Sequence, residues 1–126
     1  MGTQITPHFN SDEFACKCGC GFSAIDLNLV LDLERLRSKV GPIIIRSGCR
    51  CEKHNKAEGG KEKSNHLIGK AVDIDIPNSH ERFRCLQAIF SEPIPLFSRI
   101  EICKGWLHFD INQSLPQEVA FLQSEA

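Results

Sequence analysis

Arg99-Ile100-Glu101-Ile102-Cys103-Lys104-Gly105-Trp106-Leu107-His108-Phe109-Asp110-Ile111 reads as a β-hairpin. Two alternating runs flank Lys104-Gly105, a dipeptide suited to a tight two-residue turn. With that turn, Cys103 faces Trp106, Ile102 faces Leu107 and Glu101 faces His108, and directly opposed residues share a face of the sheet. One face then carries Ile100, Ile102, Leu107, Phe109 and Ile111, which makes it a core face. The other carries Arg99, Glu101, Cys103, Trp106, His108 and Asp110, a set that packing alone does not select.

A second strand repeats the pattern. In Ala71 to Ile76, Val72, Ile74 and Ile76 point one way, and Asp73 and Asp75 point the other. Further upstream, Asp26 is placed to cap a helix running to about Lys39, with Leu29, Val30, Leu33 and Leu36 as its apolar stripe. Gly41-Pro42 ends that helix, and Ile43-Ile44-Ile45 reads as a buried strand. Residues 47–66 show no period and read as a long functional loop. Ser79 is placed to cap a helix over 80–90, and residues 112–126 read as a C-terminal tail or helix, the helix starting after Pro116. Residues 1–24 read as loop-rich, anchored by Phe9, Phe14 and Phe22. Helices and strands mix without βαβ alternation. The expectation is an α+β fold in a single domain over residues 1–126, with a central antiparallel sheet and helices packed on one side.

The chain has 126 residues, enough for one core and too few for two. With 15 basic and 16 acidic side chains it has none of the basic excess of a nucleic-acid binder. No apolar run approaches the roughly 20 residues that span a bilayer, so no membrane partner is expected. The first ten residues carry no basic-then-apolar leader. The expectation is cytoplasmic synthesis without a signal peptide. Seven cysteines, an odd number, are then expected to be reduced. Cys16, Cys18 and Cys20 stand in a C-x-C-x-C array. Structural zinc knuckles use C-x2-C, and alternate residues on an extended segment fit one tetrahedral ion badly. The favoured reading of these three is a loop with buried or idle thiols, with a second metal or disulfides as the alternatives. A redox or metal-storage role built on the cysteines is a further one.

The strand acids gain meaning with His66, seven positions before Asp73. His66, Asp73 and His108 would supply two imidazoles and one carboxylate, leaving a fourth position open. That is the arrangement of a catalytic zinc site. There is no H-E-x-x-H helix.

The run Ser64-Asn65-His66-Leu67-Ile68-Gly69-Lys70-Ala71-Val72-Asp73 resembles the S-x-H-x-x-G-x-A-x-D signature of the zinc D-alanyl-D-alanine carboxypeptidase family. Ser47-Gly48-Cys49-Arg50 resembles that family's S-G-[YF]-R element, and Trp106 to Asp110 its closing strand. Asn55 to Gly60 (N-x3-G-G) is similar to a phage and bacterial branch. The same scaffold occurs in the hedgehog signalling domain. The resemblance implies one Zn2+ per chain on His66, Asp73 and His108. It implies that Arg50 holds a substrate carboxylate or the oxyanion, and that Ser64 touches substrate near the metal. The substrate would be peptidoglycan stem peptides, cut beside a D-amino acid by a carboxypeptidase or endopeptidase. Trp106 is either a packing residue or a wall of the substrate cleft.

Many such relatives carry a proton-accepting residue two or three positions before the last ligand. Here those positions hold Trp106 and Gly105. The hairpin register offers Glu101 as general base, with Asp110 as second candidate or as the group that orients a ligand imidazole. The reading is therefore a monomeric zinc metallopeptidase of cell-wall degradation, endolysin-like and released by a phage-type or other non-classical route. The alternative is a non-catalytic zinc-stabilised binding module.

Overall fold

The computed structural model describes residues 2–125. In chain order it contains β1 (Gln4–Thr6), β2 (Phe9–Asn10), α1 (Leu27–Val40), β3 (Ile45–Ser47), α2 (Glu52–Ala57), β4 (Ala71–Asp75), α3 (Ser79–Phe90), β5 (Arg99–Cys103), β6 (Trp106–Asp110) and β7 (Val119–Leu122). Short 3-10 turns lie at Ser11–Phe14, Asn65–Ile68 and Gln123–Glu125. The fold is α+β. Strands β3 to β7 form one five-stranded sheet in the order β3-β4-β6-β5-β7, and β1 pairs with β2 separately.

The hairpin forms in the register that its turn dictates, with Glu101 opposite His108 and Ile102 opposite Leu107. Strand β4 lies on the other side of β6, pairing Asp73 with His108 and Ile74 with Leu107. Alternation then separates the faces. Val72, Ile74, Ile100, Leu107 and Phe109 are buried together beneath α1 and α3, whose Leu29, Val30, Leu33, Leu36, Cys85 and Ile89 complete the core. Phe97 stacks on Phe109 with ring centroids 4.1 Å apart. Each such side chain contributes about 1.5–3 kcal/mol by leaving water. Helix α1 is capped by the Asp26 carboxylate on the Asn28 N–H and ends at Gly41 with φ 88°. Both signals are the expected ones.

Several elements differ from expectation. The strand expected at 43–45 is displaced to Ile45–Ser47: Ile45 and Ser47 pair with Ile74 and Asp73 of β4, while Ile44, 67% exposed, meets β4 through its carbonyl, which accepts from the Asp75 N–H. The loop over 47–66 holds helix α2 and a 3-10 turn. Only Asn55 of α2 is buried, so the helix has no apolar stripe for periodicity to reveal. The α3 cap is Asn78, whose side chain accepts from the Glu81 N–H, and Ser79 is the first helical residue. The N-terminal segment contains a small hairpin and a capped turn, with Asn10 and Glu13 forming a capping box. The C-terminal tail or helix is instead β7, which runs parallel to β5 and makes the sheet mixed. The open edge of β5 satisfies the backbone of Val119–Leu122 better than an isolated helix there would.

Gly69 closes the Asn65–Ile68 turn at φ 68°, and a Cβ there would lie 2.1 Å from the Ala24 carbonyl oxygen. Gly41 also has positive φ but open space around it. In urea denaturation, Gly41→Ala is expected to lose about 2–3 kcal/mol from backbone strain alone, because φ 88° with ψ −161° is a conformation essentially reserved for glycine. Gly69→Ala is expected to lose clearly more, through the added collision. Equal losses at the two positions would contradict this close packing.

Candidate metal centre

Pairing across the large sheet places Ser47, Asp73, His108, Glu101 and Phe121 in one row, on neighbouring strands from β3 to β7. Directly opposed residues hold their Cβ atoms about 4.5–5.5 Å apart. The row lies on the face away from the helical core, and from Asp73 to Phe121 it forms a wall of a cleft of about 460 Å³. Arg50, Ser64, His66, Trp106 and Asp110 line the same cleft, so every residue the sequence assigned to the catalytic, substrate or His66–Asp73–His108 metal role reaches it.

His66 arrives from outside the sheet. The Ser64 hydroxyl accepts from the His66 N–H at 3.2 Å and caps the turn that presents the imidazole. Ser64 thus has a local structural task as well as its place in the cleft wall. The ring is buried, with Nδ1 2.6 Å from the Gly48 carbonyl oxygen. A carbonyl only accepts, so Nδ1 carries the proton and Nε2 presents a lone pair. Nε2 lies 3.4 Å from one Asp73 oxygen. The other Asp73 oxygen lies 2.9 Å from Nδ1 of His108. The remaining His108 nitrogen, Nε2, is 3.0 Å from Asp110.

His66, Asp73 and His108 offer ligand atoms that lie within 4.8 Å of one another. Bonds of about 2.0–2.1 Å in a tetrahedral site give ligand–ligand edges of about 3.3–3.4 Å. The 3.4 Å between His66 Nε2 and Asp73 is of that size, and the 2.9 Å between His108 Nδ1 and the other Asp73 oxygen is shorter, at hydrogen-bond length. The hydrogen bonds outside the trio also suit a metal, because a ligating imidazole normally gives its second N–H to a carbonyl or carboxylate. Gly48 does this for His66, and Asp110 for His108. The residues fit a borderline cation such as zinc.

The electrostatics agree. Burial would raise the Asp73 carboxyl, but hydrogen bonds to His108 and His66 overcome it and hold the group well below the usual carboxylate range. Burial would lower His108, but Asp110 and Asp73 override it and lift the imidazole to about 9. Burial also works against the Asp110 charge, while His108 and Arg99 keep it ionised. The pocket is organised around positive charge.

Asp110, read as a possible general base, has both oxygens engaged. Oδ1 accepts from Arg99 Nε at 2.6 Å and Oδ2 meets His108. It is 2% exposed and orients His108. Glu101 differs: among the described residues, no hydrogen bond or ion pair engages its carboxylate, and it stands in the row next to His108. Arg50 donates to the Ser47 hydroxyl at 3.0 Å, to Asn55 Oδ1 at 3.3 Å and to Asp73 at 3.4 Å. Three of its five N–H donors are used, and two remain. Trp106 lies beneath the Arg46 guanidinium, 4.5 Å from the ring centroid, while lining the cleft. Its two readings, packing residue and cleft wall, are compatible.

Sequence reasoning missed several supporting residues. Buried Asn55 ties Arg50 to the Lys61 carbonyl, and a Cβ on Gly60 would sit 2.0 Å from its oxygen. The N-x3-G-G spacing was the signal for this. Arg99 holds Asp110 and the Pro116 carbonyl, and its place on the polar face of β5 was visible. Phe121 enters the cleft only because β7 is a strand. Cys51 was also missed. It stands with Cys16, Cys18 and Cys20, their sulfurs within 4.8 Å of one another. The loop expected here forms, but the extended geometry that argued against a shared ion does not, because residues 16–22 fold back. Gly19 N–H donates to the Cys16 carbonyl, and Cys16 N–H to that of Phe22.

A family model described as Peptidase M15 matches residues 7–110, a span that contains His66, Asp73, Glu101, His108 and Asp110. A comparison with curated proteins finds no match.

Because Asp110 holds the His108 ring from behind, Asp110→Asn is expected to weaken metal binding at the His66–Asp73–His108 site by roughly 10–100-fold. Competition with a chromophoric chelator measures this, and far-UV circular dichroism checks that the fold persists. An unchanged affinity would contradict the orienting role.

Proposed function

The chain belongs to the peptidase M15 family, a family of metal-dependent peptidases, and from that premise we propose that it is a zinc-dependent hydrolase of peptidoglycan stem peptides. The amide bond cut would lie beside a D-amino acid, with the protein acting as carboxypeptidase or endopeptidase. The observation that carries the reading is the convergence of His66, Asp73 and His108 in one cleft, with Glu101 beside His108. A zinc ion in such a site supplies Lewis acidity toward a carbonyl and a water acidic near neutral pH.

The protein residues divide the remaining work. His66, Asp73 and His108 would hold the ion, and Asp110 and the Gly48 carbonyl fix the two imidazoles. Glu101 accepts a proton from the attacking water and returns it to the leaving amine. Its free carboxylate and its position support that role over Asp110. Arg50 anchors a carboxylate of the substrate or the developing negative charge. Its planar fork is already held by Ser47 and Asn55, so little freedom is lost on binding. Ser64 and Trp106 border the bound peptide. A monomer acting on the cell wall after a phage-type or other non-classical release fits this reading.

The test is incubation with purified peptidoglycan and with a D-Ala-D-Ala-ended peptide. Product should form, vanish with chelator and return with zinc. Glu101→Gln should lower the rate by about 10²–10⁴-fold with the metal content unchanged. Tight metal binding without product on several wall chemistries would overturn the proposal in favour of a non-catalytic zinc-stabilised module. Full activity in Glu101→Gln would overturn the assignment of the base.

A further inference from the structure

We propose that Cys16, Cys18, Cys20 and Cys51 form a second, structural metal site that holds one tetrahedral zinc ion in an all-thiolate shell. The Sγ atoms of Cys16 and Cys18 are 3.4 Å apart, those of Cys18 and Cys51 3.6 Å, and those of Cys16 and Cys51 3.8 Å. With zinc–sulfur bonds of about 2.3 Å, the edge of a regular tetrahedron is about 3.8 Å. A disulfide needs about 2.05 Å, and all four cysteines are free thiols. The Cys20 sulfur completes the set, all four lying within 4.8 Å of one another, and four thiols so gathered suit a soft-ligand tetrahedral ion.

The backbone supports the same reading. Gly19 and Gly21 adopt φ 81° and 91°, which lets C-x-C-x-C curl instead of running straight. Two N–H groups are directed at the sulfurs: Cys51 donates to Cys16 Sγ, and His54 donates to Cys51 Sγ, each at 3.4 Å. Such donors stabilise thiolate charge. Residues 17–21 are exposed, so no buried apolar side chain offsets the entropy of ordering this glycine-containing loop. A cross-link through an ion does so, as is usual where a small domain lacks core.

The location gives the site a purpose. Cys51 directly follows Arg50, and on the other side Cys49 N–H donates to the Phe14 carbonyl at 2.8 Å. A Cβ on Gly48 would lie 2.8 Å from the Phe14 backbone. The N-terminal segment therefore grips the 48–51 stretch on both sides of Arg50, and the ion fastens that grip. It acts as a positioning element for the cleft and takes no part in reaction chemistry.

Cobalt(II) substitution of the metal-stripped, reduced full-length chain tests this without reference to activity. Thiolate-to-cobalt charge-transfer absorption should appear, saturate at one equivalent of thiolate-bound ion per chain, and be displaced by zinc. It should persist in His108→Ala and in Cys85→Ser. Cys18 and Cys20 are exposed, so replacing them leaves the core untouched. In Cys18→Ser and Cys20→Ser, affinity should fall by more than the roughly 10–100-fold typical of losing an outer partner. Absence of the band in the reduced wild-type chain, or its survival in the Cys18→Ser/Cys20→Ser double variant, would overturn the proposal. So would a disulfide within the cluster in protein kept under reducing conditions, detected by mass spectrometry. Because His108→Ala removes only the other site, failure here is distinguishable from failure of the peptidase reading.

Discussion

The buried Asp73 carboxylate, reached by an imidazole on each of its oxygens, is the contact on which the rest of the site depends. One imidazole comes from the neighbouring strand and is fixed by sheet register. The other comes from a turn seven residues earlier and is fixed by a hydroxyl cap and a carbonyl. A carboxylate this deep in the protein is costly unless paired. The pairing also fixes register: a slip of one residue between β4 and β6 would put Asp73 and His108 on opposite faces, turning one of them into the core and its neighbour Ile74 or Leu107 into the cleft. The hydrophobic face and the polar row therefore enforce each other.

Support for the site comes from sequence-distant segments. Arg99 and Asp110 form a buried pair behind His108, and Arg99 reaches on to the Pro116 carbonyl, joining the C-terminal segment to the site. Asn55 and Ser47 hold Arg50 from the opposite side. The N-terminal turn presses against Gly48 and Cys49, which adjoin both Arg50 and the carbonyl that orients His66. In a domain of this size each loop around the cleft is a structural member, since the sheet positions Asp73, His108, Glu101, Trp106 and Asp110 but neither His66 nor Arg50.

Legibility in the sequence followed the physics of each element. Strands β4, β5 and β6 were readable because side-chain alternation separates a core face from a polar face, and a two-residue turn leaves one register open. Helix α1 was readable from its stripe, its Asp26 cap and its Gly41 stop. The convergence of His66, Asp73 and His108 followed from those strands plus one motif. What escaped lacks a local signature. Helix α2 buries a single residue, so no period marks it. β7 forms because β5 offers an open edge, a tertiary opportunity absent from residues 119–122 themselves. Cys51 joins three cysteines 31 to 35 positions away, and the backbone reversal at Gly19 that brings them together is invisible to spacing rules for straight segments.

Anomalous scattering at the zinc edge from crystals of the zinc-loaded chain addresses the central claim most directly. The account predicts a peak about 2.0–2.2 Å from His66 Nε2, an Asp73 oxygen and His108 Nδ1, with a solvent-accessible fourth vertex. A peak bound through His108 Nε2, or none within bonding distance of Asp73, would contradict it.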